Sequence, residues 1–143
     1  MQEKKDGSSY APKGKSCAVC APGEFPVGVI GLDHGHIYGM CNALLEAGGT
    51  LKYAYDRDPE RLAKFLKTYP GVLAARSEEE VLQDNDTRMV CSSHITSERG
   101  PFGLRVMAAG KDYFVDKAPF TTLEQLRSAR ELAEQTGKKY MVK

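Results

Sequence analysis

A glycine-containing turn at positions 31–36 has residue types suited to binding a phosphate group. It follows a short run rich in Val and Ile at 27–31 and precedes a segment with apolar residues at helical spacing. The N-terminus of a helix presents unpaired N–H groups and a partial positive charge, which attract an anion. The pattern predicts a strand, a phosphate-binding turn and a helix, with the candidate binding residues Gly31, Leu32, Asp33, His34, Gly35 and His36.

An acidic residue, Asp56, follows the next apolar run of the chain, at 50–55. A carboxylate in this place accepts hydrogen bonds from the ribose hydroxyls of an adenosine and repels a phosphate on that ribose. We therefore predict NAD as the cofactor. Arg57 could instead pair with a ribose phosphate, which keeps NADP as the alternative. Alternatively, Asp56 is an ordinary turn residue that binds no cofactor.

Asp116 and Lys117 close a later apolar run, at 113–115. The open crevice of a parallel sheet lies at the carboxyl ends of its strands, so the Lys117 ammonium is expected to point towards bound cofactor and substrate. There it would hold a substrate hydroxyl or carbonyl oxygen and stabilise the charge that develops during hydride transfer. Lys117 is the catalytic candidate, and a solvated surface lysine is the alternative.

These residues need a scaffold, and the chain from 27 onwards alternates between strand and helix patterns. Strands are predicted at 27–31, 50–55, 72–75, 88–92, 113–115 and 139–142, and helices at about 36–47, 59–69, 78–83, 101–109 and 123–136. Asp58, Ser77 and Thr122 are the predicted N-caps. Parallel neighbours need crossover connections, so we predict an α/β fold with a doubly wound, mostly parallel sheet of about six strands. Rossmann strand order is favoured, and a flavodoxin-like sheet is the alternative.

Length and charge restrict the class of protein. A chain of 143 residues forms one domain, and 20 basic against 19 acidic residues give no indication of a nucleic-acid or membrane surface. No apolar run is long enough to span a bilayer, and the first residues are too polar for the core of a signal peptide. We predict a cytoplasmic protein without nucleic-acid or membrane partners.

Residues 1–26 are rich in Gly, Ser, Pro and Lys and have no apolar periodicity, which predicts a flexible leader before a dinucleotide-binding domain at 27–143. Positions 9–16 resemble a P-loop, but serine replaces its first glycine and no strand precedes it. The C-x-x-C formed by Cys17 and Cys20 lacks the second ligand pair of a zinc site. Cys41 and Cys91 are expected to be small buried residues.

From Val27 to Val142 the chain resembles the N-terminal domain of the glucose–fructose oxidoreductase / inositol dehydrogenase (Gfo/Idh/MocA) family. The similar segments are V-G-V-I-G at 27–31, Y-D-R-D-P-E-R at 55–61, A-A-G-K-D-Y-F-V-D-K-A-P at 108–119, and the helix and strand at 122–142. The third segment is the most specific, because the family has A-G-K-H-V-x-x-E-K-P there. Lys117 matches the lysine of that motif, Asp116 stands for its glutamate, and Ala118 replaces its proline.

The resemblance implies a nicotinamide dinucleotide as ligand and an oxidoreductase acting on a sugar, a polyol or a related compound. In the family, the lysine lies beside the nicotinamide and the substrate. The polar loop after the fourth strand corresponds to Ser92, Ser93 and His94, where His94 either faces the nicotinamide side or is satisfied by solvent. The chain ends where the family's second domain begins. The substrate domain is thus predicted to be absent, and the chain to be incomplete for catalysis alone.

The turn departs from the family's G-x-G-x-x-G, because Asp33 and His36 stand where its second and third glycines are expected. A carboxylate about 4 Å from a phosphate costs on the order of 4 kcal/mol at an effective dielectric near 20. Asp33 could avoid this cost by capping its own helix, while His34 or His36 supplies compensating donors or charge. The two histidines could also bind a metal, but the sequence specifies no further ligands, so no metal site is predicted.

Three functional hypotheses follow from these observations. The first is the cofactor domain of a dehydrogenase, truncated or working with a separate partner. The second is a non-catalytic module that keeps the fold and has lost or repurposed the nucleotide site through Asp33 and His36. The third is an interaction domain whose open C-terminal end docks another chain, for example as a homo-oligomer.

Overall fold

The computed structural model describes residues 17–143. Among these residues, six strands alternate with five helices, as predicted. The strands are β1 (Pro26–Ile30), β2 (Thr50–Tyr55), β3 (Leu73–Ala74), β4 (Met89–Ser92), β5 (Asp112–Val115) and β6 (Tyr140–Val142). The helices are α1 (His36–Glu46), α2 (Pro59–Thr68), α3 (Glu78–Gln83), α4 (Thr96–Ala108) and α5 (Leu123–Thr136).

The strands form one sheet in the order β3-β2-β1-β4-β5-β6, and every neighbouring pair is parallel. The order reverses beside β1, so the crevice at the switch point lies between the loops that follow β1 and β4. The predicted Rossmann order is confirmed, and the flavodoxin-like alternative is wrong. The glycine turn, Asp56, the 92–94 loop and Asp116 all follow strands at the same edge of this sheet.

Two apolar layers cover the sheet. On one face α1 and α2 pack on the strands through fully buried residues such as Ile37, Met40 and Phe65. On the other face α3, α4 and α5 contribute Val81, Val106 and Ala129. The strands of a sheet buried on both faces need apolar residues throughout, which explains the continuous apolar runs at β1 and β4. The core therefore fixes the strand ends that carry the polar candidates.

Most of the predicted helix caps and helix ends are confirmed. The Asp58 side chain accepts from the N–H groups of Glu60 and Arg61, and Ser77 and Thr122 cap α3 and α5 in the same way. Gly137 ends α5 in the left-handed conformation, at φ 68°.

The predicted start of α4 is wrong, because the helix begins at Thr96 and not near Pro101. Proline is typical of a first turn, yet here it occupies the sixth helical position, where it lacks the N–H that would bond to the fourth residue before it. The residues before it, 96–100, are polar and glycine-containing and therefore look like a loop. Tertiary contacts of Glu98 and Arg99, described below, favour the extra turn of helix.

The first described residues contact the domain, although the sequence assigned them to the leader. The Val19 N–H donates to the Ala47 carbonyl (2.8 Å), and Cys20 packs against Gly48 in the turn between α1 and β2. The P-loop-like stretch at 9–16 lies outside the described residues. Cys41 and Cys91 are buried, as expected. No helix within residues 17–143 combines the length and the apolar character that crossing a membrane requires.

Candidate functional site

Hydrogen bonds hold the turn after β1 against the loop after β4. The Gly31 N–H donates to the carbonyl of Tyr55 at the end of β2 (3.1 Å), and the Ser93 N–H donates to the Gly31 carbonyl (2.9 Å). The Ser93 hydroxyl is also within hydrogen-bond distance of the carbonyl oxygens of Gly31 (3.2 Å) and His34 (2.9 Å). Because Ser93 is buried and bonded to the turn, its role is to fix the shape of the turn.

His94 lies directly beneath this turn. It is 5 % exposed, its ring meets the Phe102 ring edge-on, and its Nδ1 atom is 2.6 Å from the buried Ser92 hydroxyl. A Cβ atom added at Gly31 would lie 2.5 Å from the imidazole, so the glycine is needed for this close approach. The alternative of a histidine satisfied by solvent is therefore wrong. Ser92 and His94 form the floor of the turn.

Burial lowers the pKa of His94, and the raising influence of Glu78, Glu98 and Asp33 does not offset it. Below about pH 6.5, the usual value for histidine, the unfolded chain thus binds more protons at this position than the folded chain. We expect the free energy of unfolding to fall as the pH drops from about 6.5 towards the lower folded pKa, by less than about 1.4 kcal/mol per pH unit.

Urea unfolding of the wild type and of His94→Gln between pH 7.5 and 5 measures this contribution. The glutamine variant should lose less stability over the interval, because its side chain does not titrate. Parallel pH profiles for the two proteins would contradict the assignment of a neutral, buried His94.

The Asp56 carboxylate connects the end of β2 to the glycine turn. Its Oδ2 accepts from the Leu32 N–H (2.6 Å), while its Oδ1 accepts from the Asp58 N–H (2.7 Å) and from Arg61 Nε (3.1 Å). Asp56 is only 7 % exposed. A carboxylate has about four acceptor positions, and three are used here. Asp56 therefore positions the turn and keeps limited capacity for a ribose hydroxyl.

Asp33 forms an ion pair that the sequence analysis missed. Its Oδ1 is 3.0 Å from Arg61 Nη1, and its side chain is 12 % exposed. The expectation that Asp33 caps α1 is wrong, because Gly35 is the N-cap residue and no side-chain cap bond is present. The compensating charge comes from Arg61 on α2, which also contacts Asp56 and Asp58, and not from the histidines.

Arg57 follows Asp56 and is paired with Glu98 on α4, with 2.8 Å between Nη2 and Oε2. The guanidinium is more than half exposed. Between these residues and Phe102 lies a cavity of about 250 Å³ that His94 also lines. A larger cavity, of about 510 Å³, lies between α5 and β6, away from the turn.

The two histidines of the turn contact Asp116 at the end of β5. His36 Nδ1 is 3.1 Å from both carboxylate oxygens, and His34 Nδ1 is 3.6 Å from Oδ2. Asp116 is 1 % exposed. Burial alone would raise the pKa of Asp116, but the His36 hydrogen bond and the charges of His36 and Arg99 outweigh it and hold the pKa below its usual value. Asp116 is thus a carboxylate at neutral pH.

Lys117 is exposed, and among residues 17–143 its ammonium has no hydrogen-bond acceptor. Its backbone, in contrast, is held by the buried Arg99. This guanidinium donates through Nε to the His94 carbonyl (2.6 Å) and through Nη1 to the Lys117 carbonyl, and Nη2 lies 3.5 Å from Asp116 Oδ2. Arg99 therefore connects the loops after β4 and β5.

The structure brings the predicted residues to one edge of the sheet and adds two arginines that sequence reasoning missed. Arg61 carried a weak signal, since it follows the cap residue Asp58 by three positions on a helix, which allows a contact with that residue alone. Arg99 carried none, because a polar residue in a supposed loop is normally solvated. Arg61 pairs with Asp33 in the turn after β1, and Arg99 pairs with Asp116 at the end of β5.

Comparison with known proteins agrees with this architecture. A search against curated proteins gave no match. Among solved structures, a protein from Erwinia carotovora atroseptica SCRI1043, described as an oxidoreductase, is 37 % identical with a TM-score of 0.79, over 82 % of this chain and 35 % of its own. GenD2 from gentamicin A biosynthesis, in complex with NAD, is 18 % identical with a TM-score of 0.78, over 90 % and 36 % of the two chains.

A biliverdin reductase from Synechocystis sp. PCC 6803, with biliverdin and NADP+, is 20 % identical with a TM-score of 0.72, over 84 % of this chain and 38 % of its own. The chain thus spans little more than a third of each of these proteins. The model of the Gfo/Idh/MocA oxidoreductase family, described as an NAD-binding Rossmann fold, matches residues 25–143. Because this match covers most of the chain, the protein belongs to the Gfo/Idh/MocA oxidoreductase family and carries its NAD-binding Rossmann domain.

Proposed function

We propose that this chain is the cofactor half of an oxidoreductase that transfers hydride between a nicotinamide and a hydroxyl-bearing compound such as a sugar or polyol. The observation that supports this most directly is the meeting of the Gly31 turn, Asp56 and Lys117 at one edge of the sheet. When bound, the dinucleotide supplies or accepts the hydride. The chain's own residues bind it, orient it and hold the substrate oxygen.

The residues of the turn fit a pyrophosphate despite the two missing glycines. Among residues 17–143, the N–H groups of Asp33 and Gly35 have no acceptor and are available to an anion. The Asp33 carboxylate is paired with Arg61, which it shares with Asp56 and Asp58, and this pairing reduces the repulsion that an unpaired aspartate would cause. The N–H of Leu32, one residue before Asp33, donates to Asp56 and is not available to the anion.

The environment of the adenosine half favours NAD. The Asp56 carboxylate repels a ribose phosphate, and Arg57 would have to give up its ion pair with Glu98 to bind that phosphate. The 250 Å³ cavity beside Arg57 and His94 has a location suited to the adenine ring. NADP stays the weaker alternative.

Lys117 is the residue that we assign to the reacting end of the cofactor. Its ammonium is exposed and lacks a partner among the described residues, while Arg99 fixes its backbone. A fixed backbone and a free ammonium suit a group that holds a substrate oxygen and stabilises negative charge on it. Asp116, Ser92 and His94 would position this region and not react themselves.

We also propose where the substrate pocket comes from, the oligomeric state and the location in the cell. The substrate pocket would come from a second domain or another chain, because the chain spans little more than a third of the length of the relatives. A homo-oligomer and a cytoplasmic location are proposed on the sequence grounds given above. Four carboxylates and two arginines around the ribose region make the affinity for cofactor dependent on ionic strength.

A fluorescence titration with NADH and with NADPH tests the proposal. We expect saturable binding of NADH and weaker binding of NADPH, because of Asp56 and the Arg57–Glu98 pair. The Lys117→Met variant is the control, since it should keep NADH binding while losing the group assigned to the substrate. Absence of any NADH signal at millimolar concentration would overturn the proposal.

A non-catalytic module with a lost nucleotide site is the second candidate, favoured by the Asp33 and His36 side chains at the glycine positions. In that case the wild type does not bind NADH and Asp33→Gly restores binding. If the wild type binds, Asp33→Gly should change the affinity by less than about tenfold, because Arg61 already compensates the charge. Thermal unfolding of both proteins separates an effect on binding from one on folding.

A further inference from the structure

The turn after β1 and the end of β5 bring together three groups that ligate metals. The side chains of His34, His36 and Asp116 each offer a ligand atom, and these atoms all lie within 4.8 Å of one another. The histidines are two residues apart, but Asp116 reaches them from a different strand. We propose that these three residues bind a divalent transition-metal ion, with Zn²⁺ as the best match to the ligands.

The distances are close to those that a single ion requires. Metal–nitrogen and metal–oxygen bonds of about 2.0–2.1 Å in tetrahedral geometry place neighbouring ligand atoms ~3.3 Å apart. The Nδ1 atoms of His36 and His34 lie 3.1 Å and 3.6 Å from Asp116 Oδ2. The His34 ring is half exposed, so it has room for the small movement that brings the two imidazoles onto one ion.

The carboxylate is already fixed in place by its neighbours. Asp116 Oδ1 accepts from the Lys117 N–H (3.0 Å), and Oδ2 lies 3.5 Å from Arg99 Nη2. Hydrogen bonds of this kind orient metal-binding carboxylates and maintain their geometry. The imidazoles are 52 % and 40 % exposed for His34 and His36, so an ion can enter from solvent.

The interactions that an ion must replace are weak or compatible with it. The backbone N–H of His36 donates to His34 Nδ1 over 3.3 Å, which is longer than a typical hydrogen bond from a backbone N–H group. A neutral imidazole that binds the ion through Nδ1 carries its proton on Nε2, so the ion takes the place of the hydrogen bond between His36 Nδ1 and Asp116. The N₂O ligand set favours Zn²⁺ and similar ions over Mg²⁺ or Ca²⁺, which prefer oxygen alone.

Three protein ligands leave at least one coordination position open, as in metal sites that bind a water or a substrate oxygen. Lys117 follows Asp116 directly, so the ion would lie beside the residue that we assign to the substrate. Metal binding by these three residues requires no bound dinucleotide. It can therefore be measured independently of the proposed function.

The test uses the full chain carrying Cys17→Ser and Cys20→Ser, which removes the thiol pair that could bind zinc by itself. Zn²⁺ is titrated by calorimetry, and Co²⁺ is titrated by its visible absorption. We expect one equivalent of either ion and no thiolate-to-cobalt charge-transfer band. The double variant His34→Ala/His36→Ala should weaken binding by roughly 100-fold. Glu134→Gln, a change at an exposed carboxylate on α5 away from the site, should leave it unchanged.

A second measurement does not depend on any variant folding. Histidine modification by diethylpyrocarbonate, read by mass spectrometry, should label His34 and His36 in the protein without metal and spare both when Zn²⁺ is present. His94 is buried and should react in neither case. Zinc binding that persists in the double histidine variant, or that disappears with the cysteine substitutions alone, would overturn the proposal. Equal labelling with and without zinc would do the same.

Discussion

Replacing Gly31 by alanine is expected to lower the free energy of unfolding by about 2–5 kcal/mol and to abolish NADH binding. Gly31 adopts φ 79°, a left-handed conformation that costs roughly 1–2 kcal/mol for a residue with a Cβ atom. That Cβ atom would also lie 2.5 Å from the His94 ring, and overpacking of this kind costs about 1–3 kcal/mol. Chemical unfolding and a cofactor titration measure the two effects.

Gly110 provides a matched control for the backbone term. It has the same φ of 79°, but nothing lies within 4 Å of a Cβ atom built there. Gly110→Ala should therefore cost only about 1–2 kcal/mol. Combining Gly31→Ala with His94→Ala should recover part of the loss, because the smaller side chain makes room for the methyl group. Equal costs at Gly31 and Gly110 would mean that the close approach of His94 is unimportant.

Replacing Arg99 by methionine is expected to destabilise the protein by about 3–5 kcal/mol, the range for breaking a buried charge network. The guanidinium is 4 % exposed and serves the carbonyl oxygens of His94 and Lys117 as well as the Asp116 carboxylate. Methionine fills similar space but leaves these buried acceptors without a donor. Urea unfolding monitored by circular dichroism gives the change in free energy.

Arg105→Met is the control for this experiment, since Arg105 lies on the same helix and also contacts two acidic residues, Glu78 and Glu79. Its side chain is half exposed, so the expected cost is about 0–1 kcal/mol. Arg99→Lys should fall between the two, because one ammonium cannot serve acceptors in three directions as a guanidinium fork does. Similar losses for Arg99→Met and Arg105→Met would contradict the role of Arg99 as a connector of the two loops.

Both predictions concern the loops and not the sheet, because the sheet is the robust part of the molecule. Its strands are buried on both faces, whereas the crevice depends on a few polar contacts between loops that are far apart in sequence. A change in these contacts should therefore affect both cofactor binding and the stability of the domain.

The elements whose signals are local were predicted from the sequence. Asp58, Ser77 and Thr122 cap their helices, and Gly137 ends α5, because these effects depend on residues within one helical turn. The strand β2 has the predicted limits, since its apolar run is bounded by a glycine pair and an aspartate.

Prediction was incomplete where the local structure depends on contacts with residues far away in the sequence. The loop predicted before Pro101 is helical in the structure, where Glu98 pairs with Arg57 in the loop after β2 and Arg99 reaches the end of β5. The sequence allowed either the cofactor or solvent as the neighbour of His94, and the structure buries its ring beneath Gly31. None of these contacts has a signature at short range.

The sequence by itself determined the alternation of strands and helices and the polar residues at the strand ends, and its glycine turn and the acidic end of β2 favoured Rossmann order. These follow from periodicity, caps and glycine turns, which act between neighbours. Only the tertiary structure decided what those residues touch: Arg61 on Asp33, Arg99 on the loops after β4 and β5, and both turn histidines on Asp116. The physical reason is that the parallel sheet brings the ends of distant strands to one edge, where burial and charge select the partners.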